Sequence, residues 1–164
     1  MSTRCVVAKE LVDTDTRQTK WVGRYVHSDG YPSAKIPDLN AIVEAKGLLR
    51  SIQILIDFHA GWSYLDPAAT KGQFLDGRAF GVTGYGVAYS TAKMKFMGDP
   101  DYQQASWDNW ETQDNADSWT EYAYVLTEQG IQVWVPVDNV WTFVKVQAWG
   151  DLDTDTLDAA IERL

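Results

Sequence analysis

The chain has 164 residues, 45% hydrophobic and 13% aromatic, and a net charge of −9. That is enough apolar mass for a single folded domain and too much for a disordered chain. Its one cysteine, Cys5, excludes an intrachain disulfide and a cysteine-based zinc site. The acidity argues against generic binding to nucleic acid backbones.

In chain order, Arg4–Val12 is rich in valine and leucine and predicts a strand. Asp13–Gln18 is a polar turn, and Lys20–His27 returns as the second strand of a hairpin. Asp29-Gly30 with Tyr31-Pro32 forms a turn, where Asp supplies an acceptor and Gly a residue free to take φ > 0. Ile36-Pro37-Asp38 marks a helix start, with Leu39, Ile42 and Val43 on one stripe and Gly47 as the stop. Leu48–Ala60 predicts a second helix carrying Leu49, Ile52, Leu55 and Ile56, with His59 in its last turn as a cap or a satisfied core group. Gly61–Pro67 reads as an aromatic turn, and Ala68–Gly86 as a glycine-rich loop leading to a strand at Val82–Ser90. Neither the dinucleotide nor the phosphate-loop glycine pattern is present.

Asp99–Ser118 is acidic and carries Trp107 and Trp110, which at i, i+3 share a face if helical. Then the period changes to two. Thr120–Thr127, Ile131–Pro136 and Val140–Trp149 predict a three-stranded meander, and Asp151–Leu164 an amphipathic helix. On the last strand, Trp141, Phe143, Lys145, Gln147 and Trp149 are predicted to share one face. The whole is α+β: one domain over residues 1–164, with a mainly antiparallel sheet of about five or six strands and helices packed on it.

The charge is segregated. Residues 1–81 hold 10 Lys+Arg against 9 Asp+Glu, and residues 82–164 hold 4 against 14. No apolar run is long enough to span a bilayer, and the N-terminus turns polar too soon for a secretory signal. A cytoplasmic protein without membrane contact is the expectation.

His27, Asp29 and Tyr31 form the densest group of chemically capable side chains. Tyr25, Trp62 and Tyr64 add aromatic walls, and Arg24 and Arg78 add cations. Together these eight residues describe a site for a planar, nucleotide-like ligand. His27, Asp29 and His59 also offer two imidazoles and a carboxylate, suited to acid–base or metal-dependent hydrolysis. No activated nucleophile accompanies them, and no cofactor or resident metal is expected.

The segment Arg-Tyr-Val-His-Ser-Asp-Gly-Tyr-Pro, residues 24–32, resembles small bacteriophage and prophage proteins. Those carry a strand ending in His-x-Asp-Gly-Tyr-Pro after an N-terminal hairpin. Gly61–Leu65 and the strand around Tyr122–Tyr124 extend the similarity. The resemblance implies a phage or prophage origin, a place in the host cytoplasm, and an accessory role of the kind that counters host defence. Three functions fit these residues: a non-enzymatic accessory protein that binds a nucleotide-like ligand; an acidic inhibitor or nucleic-acid mimic that binds a basic host protein through Asp99–Glu121; and a small hydrolase using His27, Asp29 and His59. Homo-oligomerisation is left open.

Overall fold

β-Branched residues and a polar turn build the centre of the sheet. Cys5–Val12 (β1) and Thr19–Val26 (β2) pair antiparallel, with Cys5 opposite Val26 and Val12 opposite Thr19. The turn between them is held by Asp13, whose carboxylate accepts the Asp15 N–H at 2.9 Å. In this computed structural model, residues 3–71, 79–89, 110–117 and 119–164 are described.

Side-chain alternation gives the hairpin two different faces. Cys5, Val7 and Val26 join the main core beneath the helices. Val6, Ala8 and Trp21 face the other way, packing with Ala123, Val125 and Trp141.

From β2 the chain passes through α1 (Pro32–Lys46), α2 (Leu48–Ile52) and a π-helical turn, Gln53–Asp57, and returns as β3 (Gly61–Leu65), parallel to β2. Two boundaries differ from expectation. Helix α1 begins at Pro32, not near Pro37. Tyr31 before it is extended at φ −70°, ψ 153°, and Pro32 fills the first-turn position where no N–H is needed. Pro37 falls inside the helix, at the cost of one backbone hydrogen bond. The second predicted helix keeps α geometry only to Ile52. The Phe58 N–H then reaches the Gln53 carbonyl at 2.9 Å, five residues back.

Gly61–Leu65, expected as a turn, is strand β3, and the glycine-rich region holds the hairpin β4 (Ala79–Val82) and β5 (Gly86–Tyr89). Gly86, at φ 153°, lets β5 approach β3 so closely that a Cβ there would strike the Tyr64 carbonyl. A short β6 (Glu111–Thr112) pairs with β2 at Val22 and Gly23. The predicted meander is present as β7 (Tyr122–Thr127), β8 (Gly130–Val137) and β9 (Val140–Ala148), followed by α3 (Thr154–Glu162).

The strand order is β4-β5-β3-β2-β1-β7-β8-β9, with β6 beside β2. The fold is α+β as expected, with nine strands among the described residues rather than five or six. Most pairs are antiparallel; β1–β7 and β2–β3 are parallel. The expected single face on β9 does not form. A register shift places Phe143 opposite Trp134 but Lys145 opposite Val133. The extra residue reverses side-chain parity, so Phe143 packs edge-on to Trp134 while Gln147 pairs with Ile131 of the main core. Among the described residues no helix is long and apolar enough to cross a membrane.

Candidate functional site

The turn after β2 is fixed by backbone hydrogen bonds on two sides. The N–H groups of His27 and Ser28 donate to the carbonyls of Trp62 and Ser63, each at 3.0 Å, extending the β2–β3 pairing. The Gly30 N–H donates to the Thr3 carbonyl at 2.8 Å, and the Tyr124 phenol donates to the Gly30 carbonyl at 2.6 Å. Residues 24–32, the start of β3 and the strand holding Tyr124 therefore meet here. The turn differs from expectation in one respect: Asp29, not Gly30, takes the positive φ, at 57°. Gly30 is needed for close approach, since a Cβ there would lie 2.8 Å from the Thr3 carbonyl oxygen and 2.9 Å from Cys5 Cβ. Asp29 is exposed, and Tyr31 is 42% exposed at the head of α1.

The residues grouped by sequence separate onto the two faces of the sheet. Arg24 and Trp62 are buried on the helix side, at 2% and 0% exposure, with His59 beside them at 0%. There the π-helical turn ends, and the last carbonyls of a helical segment lack partners of their own. Side chains supply them. His59 Nδ1 lies 2.6 Å from the Ile54 carbonyl, Trp62 Nε1 donates to Leu55 at 2.9 Å, and Arg24 Nε donates to Ile56 at 2.7 Å. The Arg24 guanidinium also stacks 3.4 Å from the Trp110 ring centroid. The His59 ring packs against Trp62 and Phe80, with centroids 4.9 and 5.9 Å away. His59 is thus both cap and core.

The opposite face holds Tyr25 and His27. The Tyr25 phenol oxygen and His27 Nδ1 are 2.8 Å apart and share one hydrogen bond, with both residues half-buried. Burial pushes the Tyr25 phenol up, and the charge of the neighbouring Arg4 guanidinium pulls it back. Tyr89 lies on the same face, over Gly61. Burial raises its phenol, while the neighbouring Ser63 hydroxyl and the charge of Arg4 oppose the rise. Arg4 stacks 5.0 Å from the ring centroid of Trp119, which is 62% exposed. Asp117 closes the group. Its Oδ1 accepts the backbone N–H groups of Trp119 and Thr120 at 2.9 and 3.2 Å and the Thr120 hydroxyl at 3.3 Å.

Of the eight residues expected to bind ligand, then, Tyr25 and His27 stand in this cluster. Tyr64 is half-buried in β3 beyond a register shift, opposite Val87, and Arg78 lies outside the described residues. Arg4, Ser63, Tyr89 and Trp119 were not singled out from sequence. Strand pairing was the signal for Arg4: one step beyond the Cys5–Val26 pair, it falls opposite His27.

His27 and His59 lie on opposite faces of the sheet, so the imidazole–carboxylate–imidazole set does not assemble. Among the described residues no group of three or more His, Cys, Asp or Glu side chains is arranged to hold a metal ion. Burial pushes the Cys5 thiol up to about 12, where it carries negligible thiolate. Part of the acidic stretch, with Trp107, lies outside the described residues. Within the described part, burial and then Asp117 raise the Glu111 carboxyl, and Asp114 pairs with Lys20 at 2.9 Å. Compared with protein-family models, curated proteins and solved structures, the chain matches none of them.

Proposed function

We propose that the protein is a non-enzymatic, phage-type accessory protein of the anti-defence kind that holds a small nucleotide-like ligand on the Tyr25–His27 face of its sheet. The observation that carries this reading is the 2.8 Å Tyr25–His27 hydrogen bond, left half-buried where β2 ends and β3 begins, beside Arg4, Ser63 and Tyr89. Aromatic rings with a few convergent donors suit a flat, polar-edged molecule. Binding rather than turnover fits because a phenol, not a carboxylate, contacts the imidazole, so the arrangement differs from an oriented general base.

Melting the protein with a panel of nucleotides, including cyclic dinucleotides and cyclic ADP-ribose isomers, tests the proposal. Ligand at 100 to 1,000 times Kd should add about 2.7–4.1 kcal/mol of stability. No shift with any of them at millimolar concentration overturns the reading, and recovery of a hydrolysed ligand overturns its non-enzymatic part. A basic protein partner is the second reading. It is favoured by Trp119, an exposed indole whose backbone N–H is held by Asp117, with Glu121 exposed two residues on. Capture of basic proteins from a host lysate, lost when Asp114, Asp117 and Glu121 are reversed to Lys, is its expected result. Capture unaffected by that reversal removes it.

A further inference from the structure

Strand β1 loses its neighbour on one side before it ends. It pairs with β2 as far as Val12, opposite Thr19, but its parallel register with β7 stops at Lys9, opposite Leu126. There β7 gives way, after Thr127, to the turn into β8. Among the described residues no other strand takes its place beside Glu10, Leu11 and Val12. The Asp13 N–H donates to the Gln18 carbonyl across the hairpin at 2.8 Å. Main-chain groups alternate in direction along a strand, so the Val12 N–H faces away from β2, toward the vacant side. Such an edge is a template for a further strand.

A hollow of about 640 Å³ lies beside this edge, between β1, β7 and α2. Leu126 is its buried floor, at 2% exposure, and Leu48 and Ile52 of α2 are half-buried in its wall. Leu11 and Leu49, which also line it, are 46% and 71% exposed. Its charged residues are Lys9, Asp57, Glu10 and Glu128. Lys9 and Asp57 hold each other in an ion pair. Glu10 and Glu128 are exposed and form no ion pair among the described residues. An unpaired strand edge, an aliphatic hollow and two uncompensated carboxylates therefore meet at the end of β1 remote from His27.

We propose that this edge and hollow dock an extended segment of a partner protein in which aliphatic side chains alternate with Lys or Arg. The segment adds a strand beside Glu10–Val12, in the place that β7 vacates. Alternation sorts its side chains: every second one shares the face of Leu11 and lies over the hollow, and the others share the face of Glu10. The aliphatic set buries the exposed parts of Leu11 and Leu49, and the cationic set complements Glu10 and Glu128. A second copy of this chain fits less well, because each copy carries a net charge of −9.

Three residues of edge span about 10 Å, so a five-residue probe covers it. Titration of the intact protein with acetyl-Leu-Lys-Leu-Lys-Leu-amide, followed by NMR of the backbone amides, tests the proposal. The largest shifts are expected at Leu11, Val12, Leu49 and Ile52. Affinity should exceed that for acetyl-Leu-Glu-Leu-Glu-Leu-amide by at least about ten-fold, and Glu10→Lys with Glu128→Lys should reverse that preference. Leu49→Ser should weaken binding about three- to ten-fold. All three substitutions change exposed side chains, and unfolding curves confirm that the fold is kept. N-methylating the probe at its leucines blocks one of its edges, and at its lysines the other; one set should abolish binding and the other spare it. Equal effects of the two sets, equal affinity for the basic and acidic probes, shifts confined to other surfaces, or no binding at millimolar probe overturns the proposal. So does a dimer of the protein alone, seen by sedimentation velocity and dissociated by Leu49→Ser, which assigns the hollow to a second copy.

Discussion

Arg24 and Arg4, His59 and His27, and Trp62 and Trp119 are three matched pairs on opposite faces of one sheet. On the helix face, Arg24, His59 and Trp62 are at most 2% exposed, and each is matched to one carbonyl of the π-helical turn, Ile56, Ile54 and Leu55. On the other face, Arg4 and His27 are half-buried, Trp119 is exposed, and among the described residues Arg4 Nε has no acceptor. The same three residue types thus serve as structural plugs on one side and stand half-buried or exposed on the other. What separates the roles is the number of backbone acceptors within reach. A helical segment ending over the helix face leaves carbonyls that must be satisfied. The opposite face is covered by side chains and by a loop whose acceptors are largely used within its own turn.

The largest test of this contrast is Arg24→Met against Arg4→Met. Removing Arg24 leaves the buried Ile56 carbonyl without its donor and takes away the stack on Trp110, so urea unfolding should show a loss of about 2–4 kcal/mol. Removing Arg4 should cost less than about 1 kcal/mol, because its cation–π contact is made to an exposed ring. Equal losses would erase the distinction between the faces.

Gly30→Ala comes next, since its Cβ meets backbone at Thr3 and cannot be relieved by turning a side chain. A loss of about 1–3 kcal/mol is expected. If it is tolerated, the turn that carries His27 is less tightly fixed than its hydrogen bonds imply. Trp62→Phe keeps one aromatic ring but removes the pyrrole part with its N–H to Leu55 and leaves a small cavity, with an expected cost of about 1–3 kcal/mol. Trp119→Phe, on the exposed side, should leave the unfolding midpoint nearly unchanged.

The smallest effect concerns Glu111, whose carboxyl is raised first by burial and then by Asp117. A raised carboxyl means that the folded state holds the proton more tightly than the unfolded chain. Ionising it therefore costs stability as pH rises from the ordinary carboxylate range through the raised value. Glu111→Gln should stabilise the protein at pH 7, by no more than about 0.5 kcal/mol given solvent screening. The gain should vanish at acid pH, where both states are protonated. A gain that persists at low pH would assign the effect to packing instead.

The sequence by itself determined the hairpin β1–β2, the meander β7–β9, the last helix and the α+β class. Each is encoded by local periodicity and turn chemistry within a few residues. It also determined that His27 and Tyr25 share a face, since alternation along one strand requires it. Only the tertiary structure decided the rest. Gly61–Leu65 is a strand because β2 and β5 lie on either side of it. The bulge on β9 reverses a pattern that reads as regular. Arg4 stands with His27 because β1 and β2 pair in one register and no other. Arg24 and Trp62 left the expected site for the same physical reason: the carbonyls that claim them belong to a π-helical turn roughly thirty residues from Arg24, and nothing near Arg24 in the chain specifies where those acceptors will come to rest.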